Sequence, residues 1–271
     1  MKLTHKLCGA ALLAVLGVAA AAPAATKAAP DHSKAGEGEI QFTKATYGSY
    51  DSTGGVVPPD TSSQSTTDTD PTKLLDGEFV VQGMSKLVFT EQQATTGAIK
   101  SWAKPTTAND GATDGSEVKR RANWVQFKDD RLVDDRTYEL SATLVDPDGK
   151  GAFEFDDTAN NKKRRIAGAT IDYKNTDLVA HEDNVSLMPS TSGLQPTLHL
   201  AENTREKLFT ANENNTGKGR GKYAVYFGDT LNPAKLDSES IELSIPANQA
   251  DDIRNGKYVA TILWTLSETP M

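Results

Sequence analysis

The sequence contains few of the residues on which enzymatic and metal chemistry most often depends. It has one cysteine, Cys8, and four histidines in 271 residues, so a disulfide framework and a cysteine-rich zinc site are excluded. His181 and His199 are isolated in polar or alternating segments and are interpreted as structural or solvated. The chain also has no GxSxG nucleophile elbow and no HExxH zinc motif. We therefore expect a protein that is not an enzyme, with no catalytic residues, no metal ligands and no cofactor.

A surplus of basic residues is lacking as well. The chain has 29 lysines and arginines against 37 aspartates and glutamates, which gives a formal net charge of −8. Nucleic-acid binding depends on surplus cationic side chains that neutralise phosphates, so no nucleic-acid partner is expected. Hydrophobic residues make up 37% of the chain, which suffices for a core but excludes a polytopic membrane protein.

One acidic cluster offers the carboxylate oxygens that calcium prefers as ligands. Its members are Asp129, Asp130, Asp134 and Asp135. Three cationic residues are interleaved with them, namely Lys128, Arg131 and Arg136. This interleaving favours local ion pairs on a solvated turn, with calcium binding as the alternative.

The first 25 residues are typical of a secretory signal peptide. Lys2 and Lys6 precede an alanine-rich apolar run over 7–22, and small residues follow it. This run is shorter than the roughly 20 strongly apolar residues of a membrane span, which favours cleavage over anchoring. We therefore expect residues 1–25 to be removed and the mature chain to be secreted.

The next segment, 26–75, is rich in alanine, glycine, serine, threonine, aspartate and proline. Such a composition buries little apolar surface and predicts a flexible extension or a long loop. Within it, residues 39–43 alternate between polar and apolar side chains and are compatible with one strand. We place the globular domain at 76–271.

Short alternating segments dominate the chain from residue 76 onward. In the clearest of them, Tyr138 and Leu140 share one face of the predicted strand, and Glu139 lies on the other. Residues 91–121 are polar and predict a loop, and 204–209 predict a short helical turn. Heptads and long amphipathic helices are missing from the sequence. The pattern therefore predicts an all-β fold, an antiparallel β-sandwich of immunoglobulin-like or Greek-key type with long loops.

The last predicted strand, residues 258–266, is apolar on both faces. Tyr258, Trp264 and Leu266 lie on one face, and Leu263 lies on the other. A strand of this kind is buried on both faces, or buried on one and presented to a partner on the other. Trp264 could therefore be a core residue, a direct ligand contact, or a core residue that shapes a binding surface.

This closing segment, with Trp264-Thr265-Leu266 followed by Pro270, resembles the distal motif of the WxL cell-wall-binding domain of Gram-positive bacteria. The segments that resemble the other strands of that family are 125–131 with 138–141, 166–171, 217–227, 241–246 and 255–258. The first motif of the family normally carries Trp-x-Leu, whereas this chain has Tyr138-Glu139-Leu140. Tyrosine keeps a flat amphipathic ring but has less area than an indole and lacks its N–H donor.

The resemblance implies a secreted protein at the cell wall and cell surface of a Gram-positive bacterium, attached non-covalently to peptidoglycan. It also implies assembly with other WxL proteins and with a membrane-anchored WxL-interacting protein, and adhesion to host extracellular matrix. The residues expected to form the wall-binding or partner-binding motif are Tyr138, Leu140, Trp264, Thr265 and Leu266. Those expected to support it are Trp124, Tyr258 and Pro270.

Two other functions compete with wall binding. The first is an adhesion module for proteins or host matrix that a membrane-anchored partner alone retains at the surface. The second is an extracellular hydrolase, which the scarcity of histidine and the missing nucleophile motifs disfavour.

Overall fold

Strands account for most of the structure. In the computed structural model, the residues that can be described are 33–43, 77–94, 97–108, 119–250 and 253–268. The predicted signal peptide, most of the segment 26–75, and Pro270 lie outside these residues.

The described residues form strands throughout, with short helical turns between some of them. The strands of the first half are β1 (Ser33–Thr43), β2 (Phe79–Met84), β3 (Leu87–Val88), β4 (Gln92–Gln93), β5 (Ile99–Trp102), β6 (Thr106–Ala108), β7 (Lys119–Arg121), β8 (Asn123–Asp129) and β9 (Asp135–Val145). Those of the second half are β10 (Phe153–Asp157), β11 (Lys162–Ile166), β12 (Thr170–Lys174), β13 (Thr176–Ala180), β14 (Thr197–Leu200), β15 (Arg205–Asn214), β16 (Gly221–Phe227), β17 (Ile241–Ile245) and β18 (Gly256–Glu268). The helical elements are 3-10 turns at Glu182–Leu187, Thr191–Gly193, Pro233–Lys235 and Asp237–Glu239, and the helix α1 (Ala247–Ala250).

The longest strand, β18, is the centre of an eight-stranded sheet, which we call the large sheet. Along one edge β18 pairs antiparallel with β1, from Ser33 opposite Thr265 to Phe42 opposite Gly256. Along its other edge it pairs with β9 and, near its beginning, with β10. The remaining strands extend the sheet, β15 beyond β9, β11 beyond β10, and β3 and β4 beyond β1. Residues 39–43 thus belong to a strand directly beside β18.

Two smaller sheets face the large sheet. The β12 sheet has the order β14-β12-β17-β5, and the β8 sheet has the order β13-β16-β8-β2. Ring contacts join the layers, since Trp264 of β18 lies 5.9 Å from Tyr173 of β12 and 6.2 Å from Phe227 of β16. Tyr138 of β9 lies 6.0 Å from Phe127 of β8. These contacts and the antiparallel pairing confirm the predicted all-β sandwich.

Two local predictions are wrong. Residues 91–121 were expected to form a loop, but β4, β5, β6 and β7 lie there, each with two to four residues. Strands this short show no recognisable period in the sequence. The helical turn expected at 204–209 is instead part of β15. A bulge in the pairing of β15 with β9 leaves Leu208 and Phe209 buried in succession, which breaks the alternation expected of a strand.

Candidate functional site

The structure brings the two sequence motifs side by side. Strands β9 and β18 pair antiparallel, with Leu140 directly opposite Leu266 and Ser141 directly opposite Thr265. Motif segments 124 residues apart in the sequence therefore occupy adjacent positions of one sheet. Long-range strand pairing of this kind fixes which side chains share a face, because residues directly opposite one another point the same way.

The motif side chains point into the sandwich. The exposed fraction is 0% for Tyr138, 0% for Leu140, 3% for Trp264 and 1% for Leu266. Only Thr265 among the five motif residues lies on the opposite, outer face, where it is half-buried. The strand β18 alternates in burial from Tyr258 to Leu266, as the sequence predicts. In this fold the rings of the motif are core residues, and the surface above them belongs to their neighbours in the chain.

Trp264 lies where the three sheets meet. Its ring contacts Tyr173 edge-on and Phe227 at a tilt, and these two rings contact each other at 4.6 Å. The expected supporting residue Trp124 is also buried, and its Nε1 makes no hydrogen bond to the described part of the chain. Both indoles line a cavity of about 10 Å³, which has room for one water molecule.

Tyr138 occupies a pocket of aromatic rings at one end of the sandwich. Its ring meets Phe79, Phe127 and Phe209 edge-on at 6.0–6.2 Å. Its hydroxyl donates a hydrogen bond of 3.1 Å to the carbonyl oxygen of Gly219. Burial raises the pKa of Tyr138 well above its usual value, so the hydroxyl stays protonated and remains a donor. The tyrosine therefore acts as a core residue with a polar group that finds its partner.

Replacing Tyr138 by tryptophan is expected to destabilise the fold. The site is fully buried among three rings, and forcing a larger side chain into a filled core costs about 1–3 kcal/mol. The free energy of unfolding, measured in urea for Tyr138→Trp, should fall by that amount. As a control, Tyr138→Phe removes only the hydrogen bond to Gly219 and should cost about 1 kcal/mol. Unchanged stability of Tyr138→Trp would contradict the tight packing.

The expected supporting residue Tyr258 is buried as well. Its hydroxyl accepts a hydrogen bond of 3.1 Å from the backbone N–H of Arg254, and its ring lies 5.3 Å from the ring of Phe155. Burial raises its pKa above the usual value. Tyr258 therefore fixes the beginning of β18 and does not contribute to its outer face.

The outer face above the two motifs carries a connected group of polar side chains, which we call the motif face. Its accessible members are Glu139, Arg205, Lys207, Thr265 and Ser267, and the fully buried Ser141 lies beneath them. Arg205 is the centre of this group. Its Nε donates to Ser141 Oγ at 2.7 Å, and its Nη2 donates to Glu139 Oε1 at 3.0 Å and to Ser267 Oγ at 2.8 Å. Lys207 Nζ lies 2.7 Å from the other carboxylate oxygen of Glu139.

The charges of the motif face are only partly compensated. Glu139 is largely covered, with 13% of its side chain exposed, whereas Arg205 and Lys207 are 51% and 49% exposed. The face thus presents two cations over one shielded carboxylate. The helical turn predicted from the sequence does not indicate these two cations, because they lie in the strand β15. Their i, i+2 spacing, with the apolar Leu208 on the opposite face, is the signal in the sequence that does indicate them.

Two carboxylates of the acidic cluster, those of Asp129 and Asp130, form ion pairs. The carboxylate of Asp129 is fully buried and accepts two hydrogen bonds of 2.8 Å from Arg131, whose guanidinium also lies 3.8 Å from the ring centre of Phe79. Arg131 also pairs with Glu268 at the end of β18, and Lys128 pairs with Asp130. Within the described ranges no group of three or more histidine, aspartate or glutamate side chains is arranged to hold a metal ion.

Among the described residues, no helix has the length and apolarity that crossing a bilayer requires.

Comparison with known proteins gives one family. The model of the WxL domain, described as surface cell wall-binding, matches residues 29–270. Neither the curated proteins nor the solved structures contain a significant match to the chain. The family match includes β1, both motif strands and the strands between them. This chain therefore belongs to the WxL family, which is a family of domains that bind the cell wall at the cell surface and is not an enzyme family.

Proposed function

We propose that this chain is a secreted, non-enzymatic surface protein that attaches non-covalently to peptidoglycan through the motif face. The observation that carries the proposal is the register of β9 and β18. In this register Leu140 and Leu266 lie directly opposite each other and are buried. Glu139, Thr265 and Ser267 point outward on one surface. The motifs then contribute to binding by fixing the strands whose outer side chains meet the wall.

The chemistry of the motif face suits a polymer of sugars and short peptides. Serine and threonine hydroxyls both donate and accept hydrogen bonds, as sugar hydroxyls do. Arg205 uses Nε and Nη2 within the face, and its Nη1 makes no hydrogen bond to the described residues. A guanidinium with free N–H donors is well suited to the carboxylates of peptidoglycan stem peptides.

Removing the two exposed cations should weaken wall binding. The double variant Arg205→Ala with Lys207→Ala is expected to bind purified, protein-free sacculi about tenfold more weakly in a sedimentation assay. Binding by the wild type should also weaken as salt rises, because exposed charges are screened. The matched control is Lys218→Ala with Lys222→Ala, which removes the same charge from exposed positions at the start of β16.

The outcomes of that experiment separate the proposal from its alternative. Equal sedimentation of the two double variants, with both folded by circular dichroism, would contradict the motif face as the wall contact. A wild type that stays in solution with bare sacculi, but sediments once a membrane-anchored surface partner is added, would show that a partner alone retains it. Assembly with other WxL proteins is also part of our proposal, and the addition of a second WxL protein in place of the membrane-anchored partner tests it.

A further inference from the structure

The three tryptophans of the chain differ sharply in exposure. Trp124 and Trp264 are both 3% exposed and lie in the core, whereas Trp102, the remaining tryptophan of the sequence, is only half-buried. Trp102 is the last residue of β5, which is the edge strand of the β12 sheet. If an indole of this protein touches a ligand, Trp102 is therefore the one placed to do so.

Trp102 begins a row of side chains across the outer face of the β12 sheet. The residues directly opposite one another are Trp102 and Glu242, then Glu242 and Asp172, then Asp172 and His199. The inner face of the same strands carries buried residues such as Tyr173 and Leu243, so the row points outward. Four adjacent strands place its ends about 14 Å apart, since neighbouring strands lie about 4.8 Å apart.

The row contains an arrangement that folding alone disfavours. Glu242 and Asp172 are like charges placed directly opposite each other, which destabilises a sheet. Each carboxylate is paired with a side chain from the neighbouring strand on its other side. Lys100 Nζ of β5 lies 2.5 Å from Glu242, and His199 Nδ1 of β14 lies 2.6 Å from Asp172. Local arrangements that cost stability are expected where a protein binds something.

The indole itself is held in place. Lys174 Nζ lies 4.5 Å from the centre of the Trp102 ring, within the range of a cation–π contact. Lys100 and Lys174 balance the charges of Glu242 and Asp172, so the row and the lysines beside it offer both donors and acceptors without a large net field. A fixed flat ring beside donors and acceptors is complementary to a neutral chain of sugars, whose hydroxyl and acetamido groups need both partners.

We propose that the row Trp102, Glu242, Asp172 and His199 is a second binding site, which takes an uncharged glycan chain of N-acetylated amino sugars. The glycan lies across the strands, with one sugar ring against Trp102 beside the ammonium group of Lys174, and its hydroxyl and amide groups bonded along the row. This site is separate from the motif face, and it rests on the proposed function only for the source of the glycan, the cell wall.

The test uses the mature chain and a soluble β-1,4-linked oligomer of N-acetylglucosamine. Titration followed by tryptophan fluorescence should show a change in the wild type, because the half-buried Trp102 meets the sugar. Trp102→Ala should weaken binding about tenfold or more, and Trp102→Phe should weaken it less because a ring remains. The matched control is Tyr226→Ala, which removes another half-buried ring on the β8 sheet.

A variant that keeps Trp102 separates the loss of the binding site from the loss of folding. Asp172→Asn with Glu242→Gln retains shape but replaces both carboxylate acceptors, and it should weaken glycan binding severalfold while leaving the thermal midpoint within a few degrees. Glycan binding by Trp102→Ala equal to that of the wild type would overturn the proposal. So would an equal loss in Tyr226→Ala, or binding of a free stem peptide in place of the sugar oligomer.

The same titration distinguishes this site from the motif face. Loss of sacculus binding in the Arg205 and Lys207 variant with glycan binding intact leaves the glycan site standing. If the wild type binds the glycan oligomer but does not sediment with sacculi, the result would contradict wall attachment and would leave the proposed glycan site intact. Because the row binds a neutral ligand, its affinity should change little with salt, unlike that of the motif face.

Discussion

A chain that begins at residue 76 is expected not to fold, whereas one that begins at residue 26 is expected to fold. The difference is β1, which pairs with the motif strand β18 from Ser33 opposite Thr265 to Phe42 opposite Gly256. Each lost hydrogen bond costs about 0.5–1.5 kcal/mol, so the whole ladder is worth roughly 5 kcal/mol or more. Such a loss is comparable with the total stability of about 5–15 kcal/mol of an ordinary domain.

Removing β1 also opens the core. Ile40 of this strand is 1% exposed, and the buried Lys34 donates from Nζ to the carbonyl oxygen of Gln82 at 3.3 Å. Without β1, the edge of β18 beside Trp264 would present unpaired backbone groups, which promotes aggregation. The truncated chain should therefore be both unfolded and prone to aggregation.

Urea unfolding followed by circular dichroism measures the effect directly. The chain 26–271 should unfold cooperatively, and the chain 76–271 should show no cooperative transition. A synthetic peptide of residues 33–43, added in excess, should restore part of the transition because it can occupy the vacated edge. A chain 76–271 with the same midpoint as the longer one would show that β1 contributes nothing to stability.

The sequence pattern revealed only part of β1 because most of its apolar contacts come from its neighbours. Gly36 and Gly38 occupy inward-facing positions of β1 but have no side chain, so Met84 and Phe89 fill the space beside them. Only the region around Ile40 shows the alternation that marks a strand. The pairing with β18 joins residues more than 200 positions apart, and no local pattern records such a contact.

The sequence predicts which motif residues share a face of β18, but not whether that face lies in the core or at the surface. Alternation in 258–266 correctly places Tyr258, Trp264 and Leu266 on one face. Both faces of this strand are apolar, however, since Val259 and Leu263 occupy the other. The choice between core and surface depends on which sheet covers which face, and that is decided by Tyr173 and Phe227 from distant strands.

Trp264→Ala is expected to lower the free energy of unfolding by about 3–5 kcal/mol. Truncating a large buried aromatic residue loses its transfer free energy and leaves a cavity. The cavity would open beside Tyr173 and Phe227, next to the small space that already exists there. Trp102→Ala is the matched control for stability, because a half-buried residue at a sheet edge should cost about 1 kcal/mol. Equal losses in urea for the two variants would contradict the core position of Trp264.

The consequence for binding separates a structural role of Trp264 from direct contact with the wall. Trp264→Phe keeps a ring beside Tyr173 and Phe227 and should remain folded with a smaller loss of stability. If the indole acts only through the fold, this variant should sediment with sacculi as the wild type does. A folded Trp264→Phe that binds tenfold more weakly would show that the indole meets the ligand. Because β1 pairs with β18 directly beside Trp264, with Lys34 opposite it, binding should in that case become stronger when the β1–β18 pairing is weakened.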